Sequence, residues 1–355
     1  MILTRSPYYI DIEWTQNEFT TIPERYEVEL FIWKGLKEQP PFTPTYKIEN
    51  KNPLNRVGLS SVNISNYIND LLGTELNQSN VTDVLDSDSA VWVKSQVIYY
   101  IDGVAQEPYY ISIDLAIKGY GYTLEGVNPT IPTNNILTVL NCVNVSKKSN
   151  YVVPILASET EIINIKVVSY PSNQINESFD ISFTTDSTRL IKNIFINCSQ
   201  VTTDKSILIS KNNEPFKELI LKDEFRYNPV DIFFVNKYGQ LDTLVFFKDK
   251  VETLKVTNQE YQSNTGQSIN GNHQFQKYNT NGKTEYKINS GWVKESNNEI
   301  FKQLFLSDKV WELKDGVFIP LNLGSTNFEY KTKQRDKLIN YEVSFKYSFN
   351  DINTL

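Results

Sequence analysis

The chain has 355 residues, with 35 Lys and Arg against 42 Asp and Glu, so its net charge is −7. That balance supplies no overall positive field to hold nucleic acid by its phosphates, and no run of about 18 apolar residues exists that could cross a membrane as a helix. One His and two Cys leave only Cys142, Cys198 and His273 as soft ligands, too few for the usual four-ligand structural zinc site.

The length predicts two or three domains with ample core. Hydrophobic residues make up 40% and charged residues 22%, the balance of a folded chain. Tyr, Phe and Trp number 21, 19 and 5, while Gly and Pro are limited to 14 each, a composition that leans towards half-buried β structure. The excess of Asn, Ile, Lys and Tyr also fits an AT-rich genome. Residues 1–7 reach charge and proline before any apolar run, so no signal peptide is expected. Cys142 and Cys198 are expected to be reduced and buried, because two separated Cys make no disulfide framework.

In chain order, residues 8–14 alternate in part, and Tyr26, Val28, Leu30 and Ile32 share one face at period two. Val62, Ile64, Tyr67, Ile68, Leu71 and Leu72 approximate a helical stripe, with Ser61, Asn63 or Ser65 as N-cap and Gly73 as a left-handed stop. Strands at 90–93 and 96–101 lead into Asp102-Gly103, a two-residue hairpin signal, and return through 109–113. Residues 128–135 are a loop. Strands at 162–168, 179–183 and 190–196, separated by polar turns, predict a small antiparallel sandwich.

The last third predicts a hairpin from 230–235 and 241–247 around a Gly-containing loop. Ser296 and Glu299 have capping-box spacing ahead of Ile300, Phe301, Leu304 and Phe305. Lys314-Asp315-Gly316 joins two further strands, and Ile339, Tyr341, Val343, Phe345, Tyr347 and Phe349 alternate without a break. The expected fold class is mainly β, with two or three antiparallel β-sandwich-like domains and a few short helices. The expected boundaries are 1–148, 149–225 and 226–355. Residues 257–290 are polar and low in aliphatics, and so are expected to be a long loop, an arm or an extended hairpin. As an arm they would offer Tyr261, Phe275, Tyr278 and Tyr286 to a neighbouring subunit.

No catalytic, cofactor-binding or metal-ligating residue is assigned. His273, set among amides, is expected to face solvent and not to serve a Ser or Cys nucleophile. Asp83, Asp86 and Asp88 lack the glycine and bidentate Glu of a calcium loop. Gly119-Tyr120-Gly121-Tyr122 is no phosphate cradle, and the basic run Lys331, Lys333, Arg335, Lys337 is expected to be a solvated turn. Abundant carboxylates and aromatics leave a glycan-binding or glycan-cleaving surface protein as the alternative.

Several segments carry a resemblance. Arg5-Ser6-Pro7-Tyr8-Tyr9-Ile10, Leu30-Phe31-Ile32-Trp33-Lys34-Gly35, residues 62–72, residues 233–242 and the pattern following Asp336-Lys337-Leu338-Ile339 resemble virion proteins of tailed phages infecting Bacteroidetes, crAss-like phages among them. They touch both ends of the chain and leave the middle third uncovered. The resemblance implies a tail-associated structural role (ring, hub, adaptor or baseplate subunit) in the virion. Its implied partners are other copies in a homo-oligomeric ring and neighbouring tail or neck proteins; on charge and composition no nucleic-acid recognition, membrane or cofactor is expected.

Overall fold

The computed structural model describes the chain apart from residues 15–20, 22, 52–57, 74–83, 88, 130–135, 157–161, 171–176, 185–190, 201–205, 212–213, 225, 264–272, 326, 332–337 and 353–355; for the strands at 84–87, 162–170 and 177–184 it describes the backbone. The architecture is mainly β, with two short α-helices among the described residues.

The N-terminal sheet runs Ile2–Leu3, Tyr110–Ile117, Ala90–Ile101, Arg25–Trp33, Tyr46–Lys51. Ala90–Ile101 is one continuous strand, and it turns at Asp102 and Gly103 with φ of 50° and 76°. Both residues are left-handed, as a tight two-residue hairpin requires. Tyr26, Val28 and Leu30 pack with Val91, Val93, Val97 and Tyr99 beneath the paired strands Tyr9–Trp14 and Gly58–Asn63 and the helix Ser65–Asn69. On the opposite face Glu27 and Glu29 are buried although charged, because Lys47 Nζ reaches both carboxylates at 2.7 and 2.5 Å. Burial pushes the Glu27 carboxyl up, but the Lys47 hydrogen bond and charge outweigh it and the net shift is downward.

The helix here is shorter than the apolar stripe predicts. Val62 pairs with Ile10 as strand, and Asn63 Oδ1 accepts from Ser65 N at 3.1 Å and Ser65 Oγ at 2.7 Å, so the helix starts only there. Gly73 does not take a left-handed φ.

The middle sandwich places a five-stranded sheet (Cys142–Ser146, Glu214–Lys222, Ser206–Lys211, Ile162–Tyr170, Glu177–Thr184) against a three-stranded one (Asn150–Leu156, Ile191–Asn197, Val84–Ser87). Two strands come from before residue 148. Val84–Ser87 pairs with Ile191–Asn197, and Cys142–Ser146 lies parallel to Glu214–Lys222, where an all-antiparallel sandwich was expected.

The C-terminal sheet has seven strands in the order Leu241–Phe246, Val230–Val235, Val310–Lys314, Val317–Leu323, Glu342–Tyr347, Phe275–Asn289, Lys250–Gln262. The first two are buried on both faces and mostly apolar, with Asp231, Asp242 and Thr243 the polar exceptions. One face meets the helix Asn298–Phe305 through Phe246, Phe301 and Phe345. The other meets the three-stranded sheet through Phe233, Leu241, Val152 and Phe195. The expected capping box is not formed. A 3₁₀ turn, Glu295–Asn297, precedes the helix, and Glu299 instead accepts from Tyr122 OH at 2.6 Å and Gln303 Nε2 at 2.7 Å. The alternation from Ile339 holds in facing as far as Phe345, with Ile339, Tyr341, Val343 and Phe345 buried, but Tyr347 is only partly buried, Phe349 is exposed, and pairing divides the run into Leu338–Ile339 and Glu342–Tyr347.

The three units meet at the tip of the 230–246 hairpin. Tyr120 N donates to Lys237 O at 2.7 Å, and Gln240 Nε2 donates to Ser89 Oγ at 2.7 Å. Asn236 Oδ1 accepts from Tyr238 N and Gln240 N, and its Nδ2 donates to Leu137 O at 2.7 Å. Gly119 and Gly121 thus serve close packing: a Cβ on Gly119 would lie 2.7 Å from Lys237 O.

Candidate functional site: an exposed two-stranded arm

The chemistry-bearing residues do not converge. Among the described residues no group of three or more His, Cys, Asp and Glu side chains comes together. His273 is exposed at the end of the arm, and its carbonyl accepts from Ser263 Oγ at 2.6 Å. Cys198 is buried and Cys142 only partly so, and both are free thiols. Burial pushes the Cys198 thiol up to about 12, which leaves it unreactive at neutral pH. Asp83 and Asp88, and the basic run beyond Lys331, lie outside the described residues.

The feature that stands out is the pair Lys250–Gln262 and Phe275–Asn289. These are long strands of 13 and 15 residues in a ladder that leaves the body of the protein. Only residues 285–289 of the second strand pair onward, with Glu342–Tyr347. Beyond that point the ribbon pairs with no third strand among the described residues, and almost every residue of the first strand is exposed. The segment expected to be a loop, an arm or a hairpin is thus an extended hairpin.

A polar network fixes its root. Lys250 Nζ donates to Glu312 Oε1 at 2.9 Å, Tyr286 OH donates to Glu312 Oε2 at 2.9 Å, and the ammonium stands 4.0 Å from the Tyr286 ring centroid. Burial lowers the affinity of Lys250 for its proton, yet the hydrogen bond and charge of Glu312 reverse this and the net shift is upward. Burial and the Glu312 charge push the Tyr286 hydroxyl far above its usual range. An enclosed pair of this kind specifies one geometry more than it adds stability. Above the root, Asp351 N donates to Gly282 O at 2.9 Å and Thr284 Oγ1 to the Asp351 carboxylate at 3.1 Å, so the chain's last described turn braces the ribbon.

Towards the tip a bulge falls between Thr257 and Gln259, opposite Asn279 with its φ of 48°. Bulges strengthen twist and discourage further strands from adding to an edge. Tyr261 and Tyr278 then share one face with ring centroids 5.7 Å apart, and Tyr261 OH donates to Gln276 Oε1 at 2.7 Å. Phe275, paired with Gln262, belongs to the other face. These three aromatics are about half exposed, at 48%, 44% and 59% for Tyr261, Tyr278 and Phe275.

Tyr286 is different. It is buried at the root and packs on Phe345 and Tyr347, so it cannot reach a neighbour and is withdrawn from the arm residues. The signal was present in the sequence: Thr284, Tyr286 and Ile288 alternate, and the last two belong to the core.

No family model matches the chain, and no curated protein matches it.

Proposed function

We propose that this chain is a structural protein of a tailed-phage virion, a tail ring, hub, adaptor or baseplate subunit that assembles as a symmetric ring and carries no catalysis of its own. The observation that carries the reading is the arm. It is a ribbon with a locked root and an exposed aromatic tip that buries almost nothing against its own chain. Holding so many residues extended costs conformational entropy that the ladder offsets, while the exposed aromatics at its tip gain nothing until a partner's surface covers them. A closed ring needs two different complementary surfaces on each copy, and a projecting arm is one of them. The segments that resemble virion proteins of Bacteroidetes phages support the same role. Partners on this reading are other copies of the chain and adjoining tail or neck proteins, in the virion.

The test is complementation of a particle-forming system with a chain whose residues 258–280 are replaced by Asn-Gly. That closes the ribbon at the Thr257–Asn281 pair with a two-residue turn. Folded chain that fails to enter particles supports the reading. Normal incorporation overturns the role of the arm, and absence of the intact protein from particles overturns the virion assignment.

A further inference from the structure

Beside the helix Asn298–Phe305 lies an open groove of about 570 Å³. Phe305, Leu306, Leu323, Phe328 and Tyr330 line it over a floor of Val310 and Leu321, and its rim is polar, with Lys302, Asp308 and Asn322. Phe328 is its centre: its ring stands 5.2 Å from Phe305, 5.0 Å from Tyr330 and 5.3 Å from Tyr341. Tyr341 is buried, so the stack is rigid from behind, while Tyr330 and Leu306 at the rim are 58% and 48% exposed. The volume lies within the range of pockets that enclose a ligand of several rings.

The groove and the arm are matched in chemistry and separated in space. Tyr347 at the arm end of its strand pairs with Leu321, and Lys346 beside it pairs with Glu285 on the arm strand. Tyr278 lies seven residues beyond Glu285, or about 24 Å farther out along the ribbon. The tip cannot fold back into its own groove without breaking the ladder that forms it. A second chain can supply it. Charge is compatible with that meeting: the projecting ribbon, residues 251–284, holds Lys255, Lys277 and Lys283 against Glu252 and Glu260, a net +1, whereas the chain as a whole carries −7. The rest of the molecule is therefore at −8, so the ribbon is not repelled by the acidic body of a neighbour. Edge-to-edge strand addition is the less suitable mode, because Lys255 sits in the middle of the outer arm strand and the bulge follows it.

We propose that this groove receives the Tyr261–Tyr278 face of the arm tip from a second copy of the chain, making the head-to-tail contact that closes the ring. The proposal rests on the assembly reading above and names the receiving site. Aromatic side chains are among the commonest anchors of interfaces, and Phe305, Leu323 and Phe328 give the Tyr261–Tyr278 face an apolar surface to pack on.

The experiment uses two full-length variants that leave the anchors in place, Gln276→Cys on the tip face and Leu306→Cys on the groove rim. They are mixed at high concentration under air oxidation, with sedimentation of the wild-type chain in parallel. A disulfide between 276 of one chain and 306 of the other, formed only in the mixture and reduced about tenfold by Tyr278→Ala, supports the proposal. Oxidative capture accumulates even brief encounters. Absence of that cross-link therefore overturns the groove assignment whether or not the wild-type chain oligomerises, and so does a yield that Tyr278→Ala leaves unchanged. Wild-type oligomers without the cross-link would leave the ring reading standing, with its contact elsewhere.

Discussion

Gly239 lies against the backbone of Lys118: a Cβ placed on Gly239 would stand 2.1 Å from the Lys118 carbonyl oxygen. Its φ of 72° is one that side-chain-bearing residues rarely adopt. Two independent constraints thus fall on one residue at the tip of the hairpin that joins the N-terminal and C-terminal units. Gly239→Ala is expected to lower unfolding stability by more than about 2 kcal/mol, because the clash is with main chain and neither partner can swing away. Denaturant unfolding of the purified variant measures it.

Lys217 offers a test of opposite sign. Its ammonium is buried without a hydrogen-bond partner and stands 4.8 Å from the Tyr151 ring centroid. Burial pushes its pKa from 10.5 down to about 8, and the Asp242 charge only partly opposes this. Below pH 8 the folded state carries the full penalty of a buried charge, about 3 kcal/mol. Between pH 8 and 10.5 the unfolded chain holds the extra proton, so stability rises with pH across that window. Lys217→Met should raise the melting temperature at pH 7 and remove the rise. An unchanged or lower melting temperature would show that the ammonium is needed where it lies.

Asp231 sets the acid side. Ser149 Oγ and Asn150 N donate to its carboxylate at 2.5 and 3.0 Å, and desolvation nonetheless raises its pKa from 3.8 to about 6. The folded state then binds the extra proton between these values, so this group's contribution makes stability fall as pH rises from about 4 to 6. Asp231→Asn should remove that part of the slope in melting measured across the interval.

His273→Ala is expected to change melting by less than about 0.5 kcal/mol, since the ring is exposed at the arm tip. Thermal scans of the two chains decide it.

The strands were legible wherever local chemistry acts alone. Asp102-Gly103 and Asp315-Gly316 turn where their left-handed preference dictates, and the doubly buried strand at 230–235 is what a mostly apolar run, interrupted only by Asp231, becomes. What was hidden depends on tertiary partners. Nothing near Val84 or Cys142 announces that these short strands join the middle sandwich, because Val84 pairs with Ile194 and Cys142 with Glu218, 110 and 76 residues away in sequence. Ser296 and Glu299 have capping spacing, but Tyr122 from another unit takes the Glu299 carboxylate. At the arm, average polarity marked the segment, while the period-two pattern that withdraws Tyr286 was diluted among Asn and Lys. The groove draws Phe305, Phe328 and Tyr330 from a helix end and a loop, a convergence that spacing along the chain does not encode.

The central claim, that copies of this chain meet through their arms, is tested most directly by cryo-electron microscopy of assembled particles containing the intact protein. The account predicts cyclic symmetry, each copy burying well over about 1,000 Å² against its neighbours, with the Lys250–Gln262 ribbon lying on the adjacent copy. Particles in which the ribbon ends in solvent, or in which the protein stands as isolated monomers, would contradict it.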